Sequence, residues 1–309
     1  MAQAAGQTPT DLEVRTQAGG VVRWPLKVVV FNAHGGRRLE TIVALLRDHP
    51  VLRQAAVLML CEADRGLARS NRRHVAAEIA GALEMSYAYG PEFSLRPETA
   101  ETAAPCVGNA LLSRAPLTGV ELLALPGRDA MMRSFGMVGT PKGLIAKVVV
   151  EGLAVRLGVA HLDSRWSPTG RELQMRVFLE SFAGGGPAII GGDWNTTTAN
   201  FERPDWLPRL AAHLLLDPRR LRRPERYEPL FRRLGERGFH MRGANARLKP
   251  TFTPSALVPS FLRPKLDWLA ARGLRPLPGS AAAVPARGRW GSRRISDHDF
   301  VVCSFEPPA

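Results

Sequence analysis

Short apolar runs recur along this 309-residue chain, and most of them end at a polar residue. The run VVVFN ends at Asn32, VLMLCE at Glu62 and RLGVAH at His161, while AIIGGDWN carries Asp193 and Asn195. Amphipathic stretches follow the first two runs, and strand–helix alternation is typical of α/β packing. Since such folds gather the polar ends of their strands at one edge, we expect these side chains to form a single site.

The pattern of apolar residues predicts individual elements. We expect two packed mixed sheets with helices outside them, because parallel-type alternation occurs together with a hairpin. The predicted strands are residues 26–32, 56–62, 187–192 and 300–305, and the predicted hairpin is 143–161. The predicted helices are residues 37–49, 69–83, 169–182 and 229–237, and residues 273–292 are predicted to be a loop.

Length and composition limit the class of protein. An apolar content of 45% allows one large domain, predicted at residues 25–309 after a flexible tail at 1–24. No apolar run is long enough to span a bilayer, so we expect no stable membrane insertion. Three widely spaced cysteines, without a Cys-x-x-Cys pair, argue against zinc ribbons and redox dithiols. A cytoplasmic location fits this cysteine usage, and no protein partner is predicted.

The formal net charge is +14, and it is unevenly distributed. Residues 201–250 hold thirteen Arg or Lys residues against six acidic ones, which predicts a basic insertion. A positive field attracts phosphate-bearing partners such as nucleic acid, anionic lipid or nucleotides. A solvated basic surface without a binding role explains the same composition, so charge alone does not choose a partner.

Four carboxylates end or adjoin apolar runs: Glu62, Asp193, Asp267 and Asp297. Carboxylates brought into one cleft repel each other unless a cation compensates. An oxygen-rich site without cysteine suits Mg²⁺ or Mn²⁺ better than zinc, and such an ion supports metal-assisted hydrolysis. His298 follows Asp297 directly, so both side chains can enter one cleft only if they lie in the loop before the last strand.

Seven motifs occur in an order that resembles the endonuclease/exonuclease/phosphatase superfamily, from about residue 26 to residue 305. This resemblance implies a deoxyribonuclease-I-like four-layer sandwich, with the active site at the upper rim of the sheets. It also implies a phosphate-ester substrate. The motifs are Asn32, Glu62, GNALLSR at 108–114, HLDS at 161–164, GDWNT at 192–196, LDW at 266–268 and SDH at 296–298.

The resemblance assigns roles residue by residue. Glu62 is the implied principal ligand of Mg²⁺ or Mn²⁺, with Asn32 and Asp297 beside it.

The catalytic residues implied by the same resemblance are Asp193, His161, Asn195, His298 and Asp267. Asp193 would orient or deprotonate the attacking water. His161 and Asn195 would contact the phosphate, and His298 would be a second catalytic histidine whose ring Asp267 orients.

Substrate contacts are predicted for Asn109, of the GNALLSR motif, and for Lys142 or Arg133. Relatives often place an arginine shortly before position 143, and this chain has Lys142 there with Arg133 as the rival. The most favoured function is a phosphodiesterase or nuclease. A phosphomonoesterase, a lipid phosphodiesterase and a non-catalytic phosphate-binding protein stay open.

Overall fold

The structure is a computed structural model that describes residues 12–17, 20–95, 104–127, 130–255, 257–288 and 294–308. Its strands are β1 (Glu13–Arg15), β2 (Leu26–Asn32), β3 (Val57–Arg65), β4 (Ser86–Ser94), β5 (Cys106–Ser113), β6 (Thr118–Ala124), β7 (Val138–Gly139), β8 (Lys142–Val150), β9 (Leu153–Ala160), β10 (Ala188–Asp193), β11 (Asp267–Arg272), β12 (Arg275–Pro276), β13 (Ala282–Val284) and β14 (Phe300–Glu306). Its helices are α1 (Leu39–Asp48), α2 (Val75–Leu83), α3 (Ala130–Ser134), α4 (Pro168–Glu180), α5 (Trp206–Leu216) and α6 (Leu230–Glu236).

The described strands form two mixed sheets. The first has the order β1-β4-β5-β3-β2-β14-β12, with β13 also paired to β14 and β7 to β4. The second has the order β11-β10-β9-β8-β6. The pairs β2–β3 and β9–β10 are parallel, and the neighbouring pairs are antiparallel. The prediction of mixed sheets is therefore confirmed.

Three apolar clusters hold four layers together. The central cluster fills the space between the sheets, with Val30 and Met59 from the first sheet and Leu157 from the second. A second cluster packs α1 and α2 on the outer face of the first sheet. The third packs α4 and α6 on the outer face of the second sheet. Each fully buried aliphatic side chain contributes roughly 1.5–3 kcal/mol, so the predicted four-layer sandwich is stabilised on both sides of each sheet.

Most predicted elements occur at or near their expected positions. The hairpin is β8 and β9, and the predicted helix at 169–182 is α4, which begins after Ser167. Ser167 Oγ accepts a hydrogen bond from Gly170 N, which caps the first turn of α4. The helix predicted at 69–83 is shorter, since α2 begins only at Val75.

Two sequence-based predictions are wrong where the structure describes the chain. Residues 13–15 of the expected tail form β1, which pairs with β4. The Glu13 carboxylate fixes this strand through contacts with Arg65 and with His74 Nε2, the latter at 2.9 Å. The expected loop at 273–292 contains β12 and β13, which both pair with β14. The other tail residues at 1–11 and 18–19, and loop residues 289–292, lie outside the described parts.

The basic segment at 201–250 carries α5 and α6, which differ in how they pack. In α6, Leu230 and Leu234 are fully buried against the second sheet. None of the α5 residues is buried, and Leu215 and Leu216 are 85% and 86% exposed. In the described parts of the chain, none of the helices has the length and apolar content needed to cross a bilayer.

Candidate active site

The polar strand ends meet along one rim of the sandwich. Parallel pairing sets Asn32, the last residue of β2, opposite Cys61 of β3, directly before Glu62. Antiparallel pairing of β10 with β11 sets Asp193 directly opposite Asp267. His298 lies just before β14, which runs antiparallel to β2 and so starts at the same rim. The expected position of His298 in the loop before the last strand is confirmed.

The Asn32 carboxamide links the two sheets at this rim. Its Nδ2 donates hydrogen bonds to Glu62 Oε1 and to Asp193 Oδ2, both at 3.0 Å. Its Oδ1 accepts a hydrogen bond from the backbone N–H of His34 at 3.0 Å. Asn32 is fully buried, so its donors and acceptor are satisfied by neighbours rather than by bulk water. One amide therefore keeps two acidic side chains next to each other.

A β-bulge directs Glu62 into the site. The register of β3 against β5 shifts between Leu60 and Ala63. Two residues of β3, Cys61 and Glu62, therefore lie opposite one residue of β5, Asn109. Glu62 adopts φ 51°, which a non-glycine residue rarely does. Such backbone strain is often found at functional sites, and here it turns a strand residue out of the normal alternation.

A close approach of β9 and β10 places Asp193 beside His161. Gly192 has φ 140°, and a Cβ there would lie 2.0 Å from the carbonyl oxygen of Ala160. Only glycine fits this contact. The distance from Asp193 Oδ2 to His161 Nε2 is 3.6 Å as a result.

Asp193 also faces a second imidazole, that of His298. The distance from Asp193 Oδ2 to His298 Nε2 is 3.5 Å, and His298 Nδ1 lies 2.8 Å from Asp267 Oδ2. Burial alone would lower the pKa of His298, but the Asp267 and Asp193 carboxylates raise it above its usual range. Burial also raises the pKa of Asp267, and the charge of His298 opposes that rise. The arrangement favours an imidazolium held between two carboxylates.

The side chain of Asp297 pairs with a histidine that the sequence did not single out. His34 Nδ1 lies 3.1 Å from Asp297 Oδ1. Burial alone would raise the pKa of Asp297, but the hydrogen bond from His34 and the charge of His298 lower it to about 2. His34 also has a positive φ of 49°. Its position two residues after Asn32, at the end of an apolar strand, is the signal that could have identified it.

The remaining predicted site residues differ from one another in burial and in hydrogen bonding. Asn195 follows Asp193, and its Nδ2 donates to Leu162 O at 2.8 Å. Asn109 Nδ2 donates to Lys142 O at 2.9 Å, while Asn109 Oδ1 is buried and has no hydrogen-bond partner in the described structure. Lys142 is buried beside this amide. Arg133 is exposed on α3.

The helix that carries Arg133 is anchored by apolar contacts. Met132 of α3 packs in a small apolar cluster with Phe93 and Val107.

The donor set fits a divalent cation. Asp193, Asp267 and His298 offer ligand atoms that all lie within 4.8 Å of one another. Asp267 Oδ1 is buried without a hydrogen-bond partner among the described residues, as expected for an atom that a cation or water satisfies. The predicted ligands Glu62 and Asp297 border this group and are not part of it. Oxygen donors dominate, as hard ions such as Mg²⁺ require.

Together, the fold and this acid–imidazole cluster define the class of α/β-sandwich phosphoester hydrolases. The chain belongs to the Endonuclease/Exonuclease/phosphatase family, whose sequence profile matches residues 29–298. The family expected from the seven motifs is therefore confirmed. Among curated proteins, none matches the sequence significantly.

Solved structures share the fold over almost the whole chain. An endonuclease/exonuclease/phosphatase from Beutenbergia cavernae is 18% identical, with a TM-score of 0.60 over 92% of this chain and 72% of its own. TDP2 from D. rerio, complexed with a single-strand DNA product, is 17% identical, with a TM-score of 0.56 over 91% and 98%. A 3'-5' exonuclease from Neisseria meningitidis is 15% identical, with a TM-score of 0.58 over 92% and 100%. At this level of sequence identity, the structural similarity establishes a common fold.

Proposed function

We propose that this chain is a divalent-metal-dependent phosphodiesterase that hydrolyses nucleic acid, with water attacking phosphorus in line. The main support is the position of Asp193 Oδ2, which faces Nε2 of His161 at 3.6 Å and Nε2 of His298 at 3.5 Å. A carboxylate beside two imidazoles can accept a proton from water while the imidazoles donate hydrogen bonds to the phosphate.

The two histidines differ in the residues that hold their rings. His298 Nδ1 lies 2.8 Å from Asp267 Oδ2, so Asp267 acts as a positioning residue, and the raised pKa of His298 favours an imidazolium that also has a proton at Nε2. A ring held in this way can stabilise the negative charge that builds up on the phosphate oxygens. His161 and Asn195 would contact the same phosphate from the second sheet. Asp193 would orient and deprotonate the attacking water.

We propose Glu62, Asn32 and Asp297 as the residues that hold Mg²⁺ or Mn²⁺. Glu62 is half-buried, and the pKa of Asp297 is about 2, so Asp297 is ionised at neutral pH. When bound, such an ion neutralises phosphate charge and polarises the phosphoryl oxygens. The alternative ligands Asp267 and His298 share a 2.8 Å hydrogen bond between Oδ2 and Nδ1, which suits a pair in which the carboxylate positions the ring.

Nucleic acid is the substrate that the charge distribution favours. The net charge is +14, and the basic segment at 201–250 begins a few residues after Asp193. The similar structures include TDP2 with a single-strand DNA product and a 3'-5' exonuclease. We assign substrate contacts to Asn109, Lys142 and Arg133. A cytoplasmic location fits three free, buried cysteines.

A lipid phosphodiesterase is the second candidate, and α5 is the observation that favours it. This helix exposes Leu207, Leu215 and Leu216 close in sequence to several arginines. Exposed apolar side chains flanked by basic ones are typical of surfaces that contact lipid head groups.

A substrate panel tests the proposed function. Plasmid DNA, RNA, abasic duplex, sphingomyelin and inositol phosphates are incubated with Mg²⁺, Mn²⁺ or chelator, and the products are measured. We expect metal-dependent cleavage of nucleic acid and its loss with chelator. Cleavage of sphingomyelin alone would favour the second candidate.

Two variants test the assigned roles in the same assay. Asp193→Asn and His298→Ala are each expected to lower turnover by about 10²–10⁴-fold, with unchanged thermal unfolding. The matched control is His240→Ala, which changes an exposed histidine on another element. Near-normal turnover in either site variant would contradict the mechanism.

A further inference from the structure

A basic cavity lies outside the candidate active site. It has a volume of about 590 Å³, within the range of small-molecule sites. Its lining includes Trp268 of β11 and side chains from residues 222–248. Six cationic side chains line it: Arg222, Arg223, Arg226, Arg242, Arg247 and Lys265. We propose that this cavity binds the phosphate groups of a nucleotide-sized or polynucleotide ligand, independently of the catalytic cluster.

The cavity is built against the edge strand of the second sheet. Asn245 Oδ1 accepts a hydrogen bond from Leu269 N at 3.0 Å, and Asn245 Nδ2 donates to Leu269 O at 2.7 Å. His240 and Ala271 exchange two further backbone hydrogen bonds, at 2.8 and 3.0 Å. The stretch at 240–245 therefore extends the sheet beside β11. Its one arginine, Arg242, is carried by backbone that is fixed before any ligand arrives, which lowers the entropic cost of binding.

The positive charges of the cavity arginines are not neutralised by ion pairs within the described structure. In the described structure, none of its five arginines lies within ion-pair distance of a carboxylate. Some arginines elsewhere in the basic segment are paired: Arg203 and Arg209 with Asp205, and Arg233 with Glu172. Unpaired like charges around a concave surface raise the local potential and concentrate anions there. The segment therefore contains both ion-paired arginines and a cationic cavity.

One cationic side chain is buried in the cavity wall, and a second, that of Arg222, is half-buried there. Lys265 is only 4% exposed, and its Nζ lies 4.0 Å from the centre of the Trp268 ring and donates to Ala246 O at 3.1 Å. Arg222 Nε is buried and has no hydrogen-bond partner in the part of the chain described. A buried cation costs free energy unless a counter-charge compensates it. Bound phosphate would supply that charge and accept the hydrogen bond that Arg222 Nε leaves unmade.

The cavity is separate from the catalytic cluster although both use β11. Asp267 and Trp268 are consecutive residues of this strand, so their side chains leave it on opposite faces. Asp267 contacts His298 on the catalytic side, while Trp268 lines the cavity. Phosphate binding in the cavity therefore does not require the hydrolysis proposed above, and either conclusion can fail without the other.

Calorimetric titration with inorganic pyrophosphate tests the site. Chelator is present throughout, so binding does not depend on a metal ion. Saturable binding of one pyrophosphate is expected. Arg223→Ala/Arg226→Ala and Arg242→Ala/Arg247→Ala should each weaken it by about 10–100-fold, because each removes two charge-assisted hydrogen bonds. The two pairs lie in separate stretches of the lining, so distortion of one stretch does not explain a loss in both.

Two further variants serve as controls. Arg203→Ala/Arg209→Ala removes the same charge from paired arginines, and its affinity should stay within about 2-fold, since these positions are outside the cavity. Glu225→Gln removes the one acidic side chain in the described lining and should raise affinity. Equal losses in cavity and control variants, or no saturable binding, would overturn the proposal. Thermal unfolding confirms that each variant is folded.

A competition experiment identifies the source of the phosphate. A fluorescently labelled single-stranded oligonucleotide is bound to the protein in chelator, and pyrophosphate is added. Displacement that is lost in Arg242→Ala/Arg247→Ala assigns the cavity to a nucleic-acid backbone. Saturable pyrophosphate binding without displacement assigns it to free nucleotides or related phosphates. Both outcomes support a phosphate-binding site in the cavity.

Discussion

The Asn32 carboxamide satisfies two acidic side chains that belong to different sheets. Its single Nδ2 donates to Glu62 and to Asp193, so both carboxylates are held without a cationic residue between them. A lysine or arginine there would occupy the space that a metal ion and phosphate need. A neutral donor fixes the geometry and leaves the negative charge of the site intact. In the proposed function, that charge attracts the divalent cation.

A residue-level prediction concerns the carboxylate behind His298. Asp267→Asn removes the anion that orients Nδ1 and raises the pKa of His298. We expect kcat to fall by about 10²–10⁴-fold, with little change in KM. The pH–rate profile should also shift, since the imidazolium loses stabilisation and deprotonates at lower pH. Steady-state kinetics between pH 5 and 9 measure both effects.

The matched control is Glu13→Gln, which changes another carboxylate paired with a histidine. Glu13 Oε2 lies 2.9 Å from His74 Nε2 beside β1, far along the first sheet from β2. Its variant should keep the normal kcat and pH profile. A lower kcat without any change in the profile of Asp267→Asn would argue for a purely structural role.

At the scale of elements, the two helices of the basic segment are held in place differently. The segment is tied to α4 by a buried ion pair, in which Arg171 Nη2 lies 2.6 Å from Glu228 Oε1. The same Glu228 oxygen accepts a hydrogen bond from Thr198 N at 2.7 Å, in the loop after β10. This pair thus connects the basic segment, α4 and the chain that follows Asp193. By contrast, α5 has no buried side chain.

We therefore expect opposite results from leucine truncation in these helices. Leu234→Ala in α6 removes a fully buried side chain and should lower the free energy of unfolding by about 2–5 kcal/mol. Leu215→Ala in α5 changes an 85% exposed side chain and should cost less than about 0.5 kcal/mol. Denaturant unfolding monitored by tryptophan fluorescence measures both. A comparable cost for Leu215→Ala would show that the α5 face is covered in solution.

At the scale of the whole molecule, the two sheets are independent supports for one site. The first sheet carries Asn32 and Glu62, and the second carries Asp193 and Asp267. The central apolar cluster fixes the distance between them. A ligand that binds residues of both sheets therefore stabilises the packed sandwich and not only a local loop. Binding should appear as a higher unfolding temperature.

Metal addition tests this coupling and the choice of ligands. At Mg²⁺ concentrations about 100-fold above Kd, the protein should gain about 2.7 kcal/mol of stability, which corresponds to a rise of several degrees in Tm. Glu62→Gln should abolish the rise, whereas Asp267→Asn should keep it. Differential scanning calorimetry with Mg²⁺ and with chelator gives both values. The reverse pattern would place the ion on Asp193, Asp267 and His298 instead.

Much of the site was predictable from sequence because its residues sit at the ends of strongly apolar runs. Asn32, Glu62 and Asp193 are of this type, and the structure brings them within hydrogen-bonding distance. The cavity beside β11 was not predictable. It depends on which arginines lack carboxylate partners, and long-range packing decides that. Composition gave only the excess charge of the segment.

The elements that were not predicted from the sequence depend on contacts between residues that are distant in the chain. Strand β1 is three residues of mostly polar sequence, without apolar alternation, and it is fixed by contacts of Glu13 with Arg65 and His74. Strands β12 and β13 are short, and hydrogen bonds to β14 stabilise their extended conformation. His34 was missed because its partner, Asp297, is far away in the chain.

The bulge opposite Asn109 has an evolutionary consequence. Glu62 reaches the cleft because β3 holds one residue more than its partner strand at this point. Deleting a single codon there would restore ordinary alternation and rotate the acidic side chain elsewhere, while the hydrophobic layers on either side kept their packing. Loss of the proposed metal-binding carboxylate and loss of folding are thus separable events, so a one-residue deletion is expected to remove the proposed activity and leave the sandwich intact.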